Sequence, residues 1–314
     1  MDILTRLEQW TQTDAISPDQ QKELANVVRE DPFSISLELN VLLYAGVLAF
    51  VAGLGWTIST WSEQIGDLVV LGVLGILLAA CFWYSFSRAP GWSPKEQISA
   101  RPFFDYVLYL GCLVWCIDLT YLDKRFSLLS GQWDIYLLAT AALFFFLAYR
   151  FDNRFVLSLA LSSLAGWFGI TVSRWPSNQE AEYRFYAIVY CLVVGVGGWL
   201  SRLFELKPHF FGTYLNIVAN VLFVAMLSGV FQREGYGIWF VALLVIIGAS
   251  VAWGITQRQF AFVAYAAVYG YIGVSSLLLR NAHDPGFILF YFVITSIAMV
   301  AGLVAIARSF GRSE

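Results

Sequence analysis

Residues 39–60 read LNVLLYAGVLAFVAGLGWTIST and contain no charged side chain. A helix needs about 20 residues to cross the roughly 30 Å of hydrocarbon in a bilayer, so this stretch predicts a transmembrane helix. Nine further apolar runs of similar length follow. The ten predicted spans cover residues 39–60, 66–86, 103–121, 132–149, 154–172, 184–203, 212–231, 236–255, 259–279 and 286–308. The sequence therefore predicts an all-α polytopic membrane protein.

The composition of the whole chain agrees with this class. Of its 314 residues, 59% are hydrophobic and only 13% are charged, and the mean hydropathy is +0.68. A soluble domain is about 25% charged, so the apolar excess here has to face lipid. The formal net charge of −3 offers no basic field for phosphates, which argues against nucleic-acid binding.

The first 38 residues differ from the remainder and form the first of two predicted domains, the second being the transmembrane bundle at 39–310. They contain three basic and eight acidic residues, a formal charge of −5. Apolar residues recur there at helical spacing, and Ser17-Pro18-Asp19-Gln20 has the pattern of a capping box at a helix start. We predict an acidic cytoplasmic helical hairpin that docks on a protein partner, because two such short helices cannot bury a core of their own.

These leading helices resemble a known family. Leu7-Glu8-Gln9-Trp10, followed by Ala15-Ile16-Ser17-Pro18-Asp19-Gln20 and by the glycine-rich first span, is similar to the start of the prokaryotic membrane-protein family called domain of unknown function 2157. The similarity covers about the first 80 residues. It implies a polytopic membrane protein and brings no established activity with it.

The distribution of Lys and Arg in the loops predicts the orientation. With ten spans, both termini lie on the same side, and the segments on that side carry 13 Lys and Arg residues against 6 on the other. Positive loops stay in the cytoplasm, so we expect both termini to be cytoplasmic, in a bacterial inner membrane.

No catalytic motif is present, and we expect a protein that is not an enzyme and binds no metal or cofactor. Zinc-protease, nucleophile-elbow and phosphate-loop patterns are absent from the sequence. The two histidines, His209 and His283, fall in loops on opposite membrane faces, where they cannot share a metal. All four cysteines lie inside apolar runs, which favours a packing role.

The most polar mid-span feature lies in the seventh span. Asn216 and Asn220 are four residues apart and share one helix face with Thr213. This face is predicted to point inward, because unpaired amides are costly in hydrocarbon. It either hydrogen-bonds a neighbouring helix or lines a wet cavity. The candidate partners are Tyr265 and Tyr269 of the ninth span and Ser162 and Ser163 of the fifth.

A second candidate site lies at the outer ends of the spans. Either an aromatic belt with helix-terminal carboxylates or an acidic, aromatic mouth for a cationic or amphipathic ligand would explain it. Its residues are Trp56, Trp61, Glu63, Asp67, Asp118, Trp133 and Asp134.

Two functions remain open on the sequence alone. The first is a membrane protein without enzymatic activity whose N-terminal hairpin binds a partner. The alternative is a transporter or facilitator of a small cationic or amphipathic solute, with five plus five spans arranged as inverted repeats. The sequence predicts neither the solute nor the oligomeric state.

Overall fold

The computed structural model describes residues 10–11, 16–17, 19–21, 35–89, 91–96, 102–127, 132–173, 180–232, 235–280, 282 and 284–311. Every regular element within these ranges is helical, which confirms the predicted all-α class.

Ten long helices lie within the described ranges. They are α1 (Ile35–Ile65), α2 (Asp67–Arg88), α3 (Pro102–Phe126), α4 (Trp133–Phe151), α5 (Arg154–Ser173), α6 (Glu180–Leu203), α7 (Phe211–Val230), α8 (Tyr236–Thr256), α9 (Phe260–Leu278) and α10 (Pro285–Gly311). All ten are long and apolar enough to cross a membrane, so the ten predicted spans are confirmed among the described residues. The third span runs about five residues beyond its predicted end.

The ten helices fall into two compact units. The first contains α1, α2 and α3 as far as Leu122, and the second contains the segment 89–98 and everything from Asp123 through α10. The contacts thus group the helices as three plus seven, whereas the inverted-repeat alternative expected two halves of five.

The first unit packs α2 against its neighbours through small and branched side chains. Its core contains Val70, Leu74 and Val114, with Tyr121 closing one end. A Cβ at Gly111 would lie 3.1 Å from Cys81, so a glycine lets α2 and α3 approach closely. None of the residues Val41–Trp61 of α1 is fully buried, although Leu54 and Ile58 pack against this core.

Helix α7 is central to the second unit and packs against α5, α6, α8 and α9. Its residues Phe223 and Met226 form a core with Leu243 of α8 and Ala266 of α9. A Cβ at Gly198 would lie 2.7 Å from Tyr214, so this glycine admits the tyrosine of α7. The glycine-rich run of α6 is Gly195-Val196-Gly197-Gly198, and close packing against α7 explains the glycine at its last residue.

A tight turn joins α4 to α5. Asp152 adopts the left-handed conformation with φ of 57°, which short polar side chains tolerate best after glycine. The Asn153 side-chain oxygen then accepts the backbone N–H groups of Phe155 and Val156, each at 3.0 Å, and caps α5.

The same turn forms a buried ionic cluster with the loop between α6 and α7. Lys207 Nζ lies 3.1 Å from Asp152 Oδ1, and the two side chains are only 1% and 2% exposed. His209 Nε2 lies 2.5 Å from the same oxygen. We call this end of the second unit the Lys207 end, and the opposite end, where α6 begins, the Arg184 end.

The N-terminal hairpin lies mostly outside the described residues. Within them, Gln20 N donates to Ser17 Oγ at 3.2 Å and Ser17 N donates to Gln20 Oε1 at 3.0 Å. This reciprocal pair confirms the predicted capping box.

Removing the charge of Asp152 is expected to destabilise the second unit strongly. Asp152→Asn preserves the shape and tolerates the left-handed backbone, but it leaves the Lys207 ammonium buried without a counter-charge. The expected loss is about 3–5 kcal/mol in the free energy of unfolding, measured by thermal unfolding in detergent.

The exposed ion pair between Glu96 and Arg154, with an N···O distance of 2.6 Å, provides the control. Glu96→Gln is expected to cost less than about 1 kcal/mol, since exposed pairs contribute little. Asp152→Asn with Lys207→Met should recover part of the loss. Equal stability of Asp152→Asn and Glu96→Gln would show that the cluster does not hold the two loops together.

Candidate functional site

Four of the five predicted interior polar residues line one cavity of the second unit, and the fifth, Tyr269, does not. Thr213, Asn216 and Asn220 of α7 and Tyr265 of α9 line a cavity of about 650 Å³ that opens toward the Lys207 end. His209 lines it as well, although the sequence suggested only a loop residue at that position. A role for these residues in function stays a prediction.

Asn220 is held by two hydrogen bonds. Tyr269 Oη donates to its side-chain oxygen at 3.0 Å, and its side-chain nitrogen donates to the Asn216 carbonyl at 2.8 Å. The Tyr269 ring stacks on Phe223, with centroids 4.9 Å apart and planes 5° from parallel. Asn220 therefore fits both alternatives, because it binds a neighbouring helix and also lines a cavity.

Asn216 differs from Asn220 in its bonding. Its side-chain oxygen is buried and has no hydrogen-bond partner within the part of the chain that the structure describes. A buried acceptor of this kind is normally satisfied by a partner or an ordered water. Asn216 also lines the first cavity, so this buried acceptor lies beside it.

A second cavity, of about 600 Å³, lies between α6 and α7 toward the Arg184 end. Asn220 lines this cavity too, so it borders both. Along α7, Asn216, Asn220, Val224 and Ser228 recur every four residues and thus form one continuous face. On this face, Asn216 lines the first cavity, Asn220 lines both cavities, and Val224 and Ser228 line the second.

The sequence analysis missed Arg184 as a site residue. It was counted as a loop charge because it lies near the start of a span, yet it is 5% exposed and lines the second cavity. Its guanidinium carbon lies 4.7 Å from the centre of the Trp239 ring of α8. In the sequence, Arg184 stands at the boundary between the polar segment that ends at Glu182 and the apolar run that follows, a position that does not distinguish a buried cation from a loop charge.

The ionic cluster at the Lys207 end was missed for a different reason. Asp152 and His209 are 57 residues apart in sequence, and they lie in two different helix connections, Asp152 in a tight turn and His209 in a short 3₁₀ helix, Pro208–Phe210. A neighbouring cation, Arg154, lines the first cavity and is bound to Glu96.

The predicted outer mouth is divided between the two units. Trp56, Trp61, Asp67 and Asp118 belong to the first unit, and Trp133 and Asp134 to the second; the side chain of Glu63 lies outside the described residues. The three tryptophans are exposed, Trp56 by 73%, as expected of rings at a membrane interface. Asp67 accepts the Tyr121 hydroxyl at 2.7 Å. A single mouth formed by all seven residues stays a prediction.

Metal binding finds no support in the described ranges, where no group of three or more His, Cys, Asp or Glu side chains is placed to hold an ion. The four cysteines are free thiols.

The bond between Asn220 and Tyr269 is expected to stabilise the second unit. Asn220→Leu and Tyr269→Phe should each lower the stability by about 1 kcal/mol, and the double variant should lose less than the sum, because both changes remove the same bond. Thermal unfolding of the four proteins in detergent measures the coupling.

Tyr265→Phe is the matched control for this cycle, because Tyr265 lines the same cavity without a hydrogen bond to the described residues. The Tyr265→Phe variant should be as stable as the unaltered protein. If the double variant lost as much stability as the two single variants together, the bond between Asn220 and Tyr269 would be contradicted.

Comparison with known proteins agrees with the fold. No protein of curated function matches the chain, and no solved structure matches it. Residues 8–157 match the model of a family described as predicted membrane protein (DUF2157), which confirms the resemblance seen in the leading helices and extends it through α4 to the start of α5. Over residues 8–157 the chain is thus similar to a family of predicted membrane proteins, and the ten apolar helices identify it as a membrane protein.

Proposed function

We propose that this protein is a transporter or facilitator that passes a solute along α7 of the seven-helix unit. One observation carries the proposal: Asn220 lines both cavities, of which one lies toward each end of α7. Asn220 is the tenth of the 20 residues of this helix, so it lies near the middle of the span. Solute sites of membrane transporters are typically found at this depth.

The spacing of groups along α7 supports a path. Asn216, Asn220, Val224 and Ser228 follow one another at about 6 Å along the helix axis, since each residue adds 1.5 Å. A solute leaving one group can therefore reach the next. Asn216 and Asn220 are the polar side chains among these four residues on the half of the path nearest the Lys207 end.

The pair of Asn220 and Tyr269 is placed to close the path at its centre. Tyr269 is fixed by its stack on Phe223 and by its bond to Asn220. A polar solute that replaces the tyrosine hydroxyl at Asn220 would open the contact between the cavities. No catalytic step belongs to this proposal, and among the described lining residues no nucleophile is hydrogen-bonded to a base.

Partner binding by the hairpin at 1–38 stays a prediction of the sequence, because most of that segment lies outside the described residues. It is compatible with the proposed transport function.

Thiol labelling tests for a water-filled path without knowledge of the solute. In a variant whose four cysteines are replaced by alanine, Asn216→Cys should react with a membrane-impermeant maleimide from the Lys207 end only. Val224→Cys should react from the Arg184 end only. The reaction requires water, because the thiolate is the reactive species.

Val193→Cys is the control. Val193 lies in the middle of α6 and is exposed on the outside of the unit, where lipid should keep it unreactive from both faces. Failure of either Asn216→Cys or Val224→Cys to react, or reaction of both from the same face, would overturn the proposed path.

We also propose that both termini are cytoplasmic and that the membrane is a bacterial inner membrane, on the count of 13 against 6 basic residues. A reporter that fluoresces only in the cytoplasm should be bright when fused after Glu314. A dark fusion combined with activity of a periplasmic enzyme at the same position would reverse the orientation.

A further inference from the structure

Arg184 is a buried cation inside an apolar helix. It lies in the second turn of α6, within the membrane span Tyr183–Leu203, and is 5% exposed. Its Nε is buried and has no hydrogen-bond partner among the described residues. The contact recorded for its guanidinium is the face of the Trp239 ring, 4.7 Å away.

The ring beneath Arg184 is held against α7 by a glycine. A Cβ at Gly229 would collide with the indole of Trp239, and it would lie 2.7 Å from the Trp239 Cβ. Only the absence of a side chain at this position lets the ring approach so closely. Gly229 and Trp239 therefore form a rigid support on which the guanidinium rests.

The cavity that Arg184 lines is mostly apolar. Ala187, Val221, Val224 and Ala225 form one wall, and the hydroxyl groups of Tyr183 and Ser228 are also present. None of the lining residues whose side chains the structure describes is acidic. The site thus combines one cation and two hydroxyl groups with an apolar wall.

A charge inside a membrane has to be compensated, because hydrocarbon does not solvate it. The other deeply buried cation, Lys207, lies 3.1 Å from the Asp152 carboxylate. For Arg184 the structure offers an aromatic face, which attracts a cation but does not neutralise it. The planar guanidinium fork is suited to bind the two oxygens of a carboxylate or phosphate.

We propose that the Arg184 cavity binds an amphipathic anion. The oxyanion accepts hydrogen bonds from the Arg184 guanidinium, and the apolar part of the molecule packs on Val221 and Val224. This inference rests on the proposed function, because it treats the cavity as one end of the solute path. It adds the chemical class of the solute. The same chemistry belongs to a free carboxylate with an alkyl chain and to the phosphate of an anionic phospholipid.

The charge of this ligand differs from the sequence-based alternative. That alternative expected a cationic or amphipathic solute, on the evidence of carboxylates and tryptophans at span ends. The amphipathic character is retained, but the buried guanidinium attracts an anion.

Two probes test the proposal on the full-length protein in nonionic detergent. Binding of dodecanoate is measured by calorimetry, with dodecanol as the uncharged match. Binding of phosphatidylglycerol is measured by native mass spectrometry, with phosphatidylcholine as its match. Arg184→Gln is expected to weaken at least one anion by about tenfold or more, the size of one lost charge-assisted hydrogen bond.

Arg202→Gln is the control variant. Arg202 lies on the same helix and also stacks on an aromatic ring, 5.2 Å from the centre of Phe211, but it is exposed and does not line the cavity. Anion binding should be unchanged in this variant, and neither variant should alter the binding of the probes without net charge, dodecanol and zwitterionic phosphatidylcholine. If Arg184→Gln does not fold, Val224→Trp fills the apolar wall at an exposed position and should weaken the same anions.

The outcomes separate the two sources and the two proposals. Loss of dodecanoate alone assigns the site to a free amphipathic carboxylate, and loss of phosphatidylglycerol alone assigns it to a lipid headgroup. If both anions bind and Arg184→Gln weakens neither, the inference is overturned, and the same holds for Val224→Trp where that variant replaces Arg184→Gln. The absence of any anion binding overturns it as well. Thiol labelling reports on the path and anion binding on its occupant, so either proposal can fail while the other holds.

Discussion

The buried ion pair between Asp152 and Lys207 is the constraint on which the Lys207 end of the second unit depends. It joins the turn between α4 and α5 to the loop that leads into α7, and both charges are almost fully removed from solvent. A charge buried in this way is stable only with its partner, so the two loops have to stay together. The start of α7, and with it the direction of the polar face on that helix, is set by this contact.

From that start, the bonding of each polar group along α7 distinguishes packing from function. Asn220 is satisfied by Tyr269 and by its own helix, whereas the oxygen of Asn216 is buried without a partner among the described residues. A group that only joins two helices has no reason to border a cavity, yet Asn220 borders two. Asn220 therefore combines a bond between two helices with a position at the border of both cavities, as the proposed path requires.

The sequence predicted the helices but only part of the site. The length and hydropathy of each apolar run were sufficient to predict ten spans. The pairing of Asn220 with Tyr269 was among the predicted alternatives, because both residues lie near the middle of their helices. The cluster of Asp152, Lys207 and His209 was not predictable, since it joins loops far apart in the chain. The grouping of three plus seven helices was also hidden, because lipid-facing and protein-facing apolar surfaces have the same composition.

The two buried cations of the second unit make its ends electrostatically different. At the Lys207 end, the ammonium and the Asp152 carboxylate cancel, so little field extends into the first cavity from this pair. At the Arg184 end, the guanidinium is stacked on Trp239, and its positive charge remains uncompensated within the described part of the chain. In a medium of low dielectric constant such a charge acts over a longer distance than in water. The proposed anion site is therefore at the Arg184 end, where the guanidinium is not neutralised by a described carboxylate, whereas at the first cavity Arg154 is paired with Glu96.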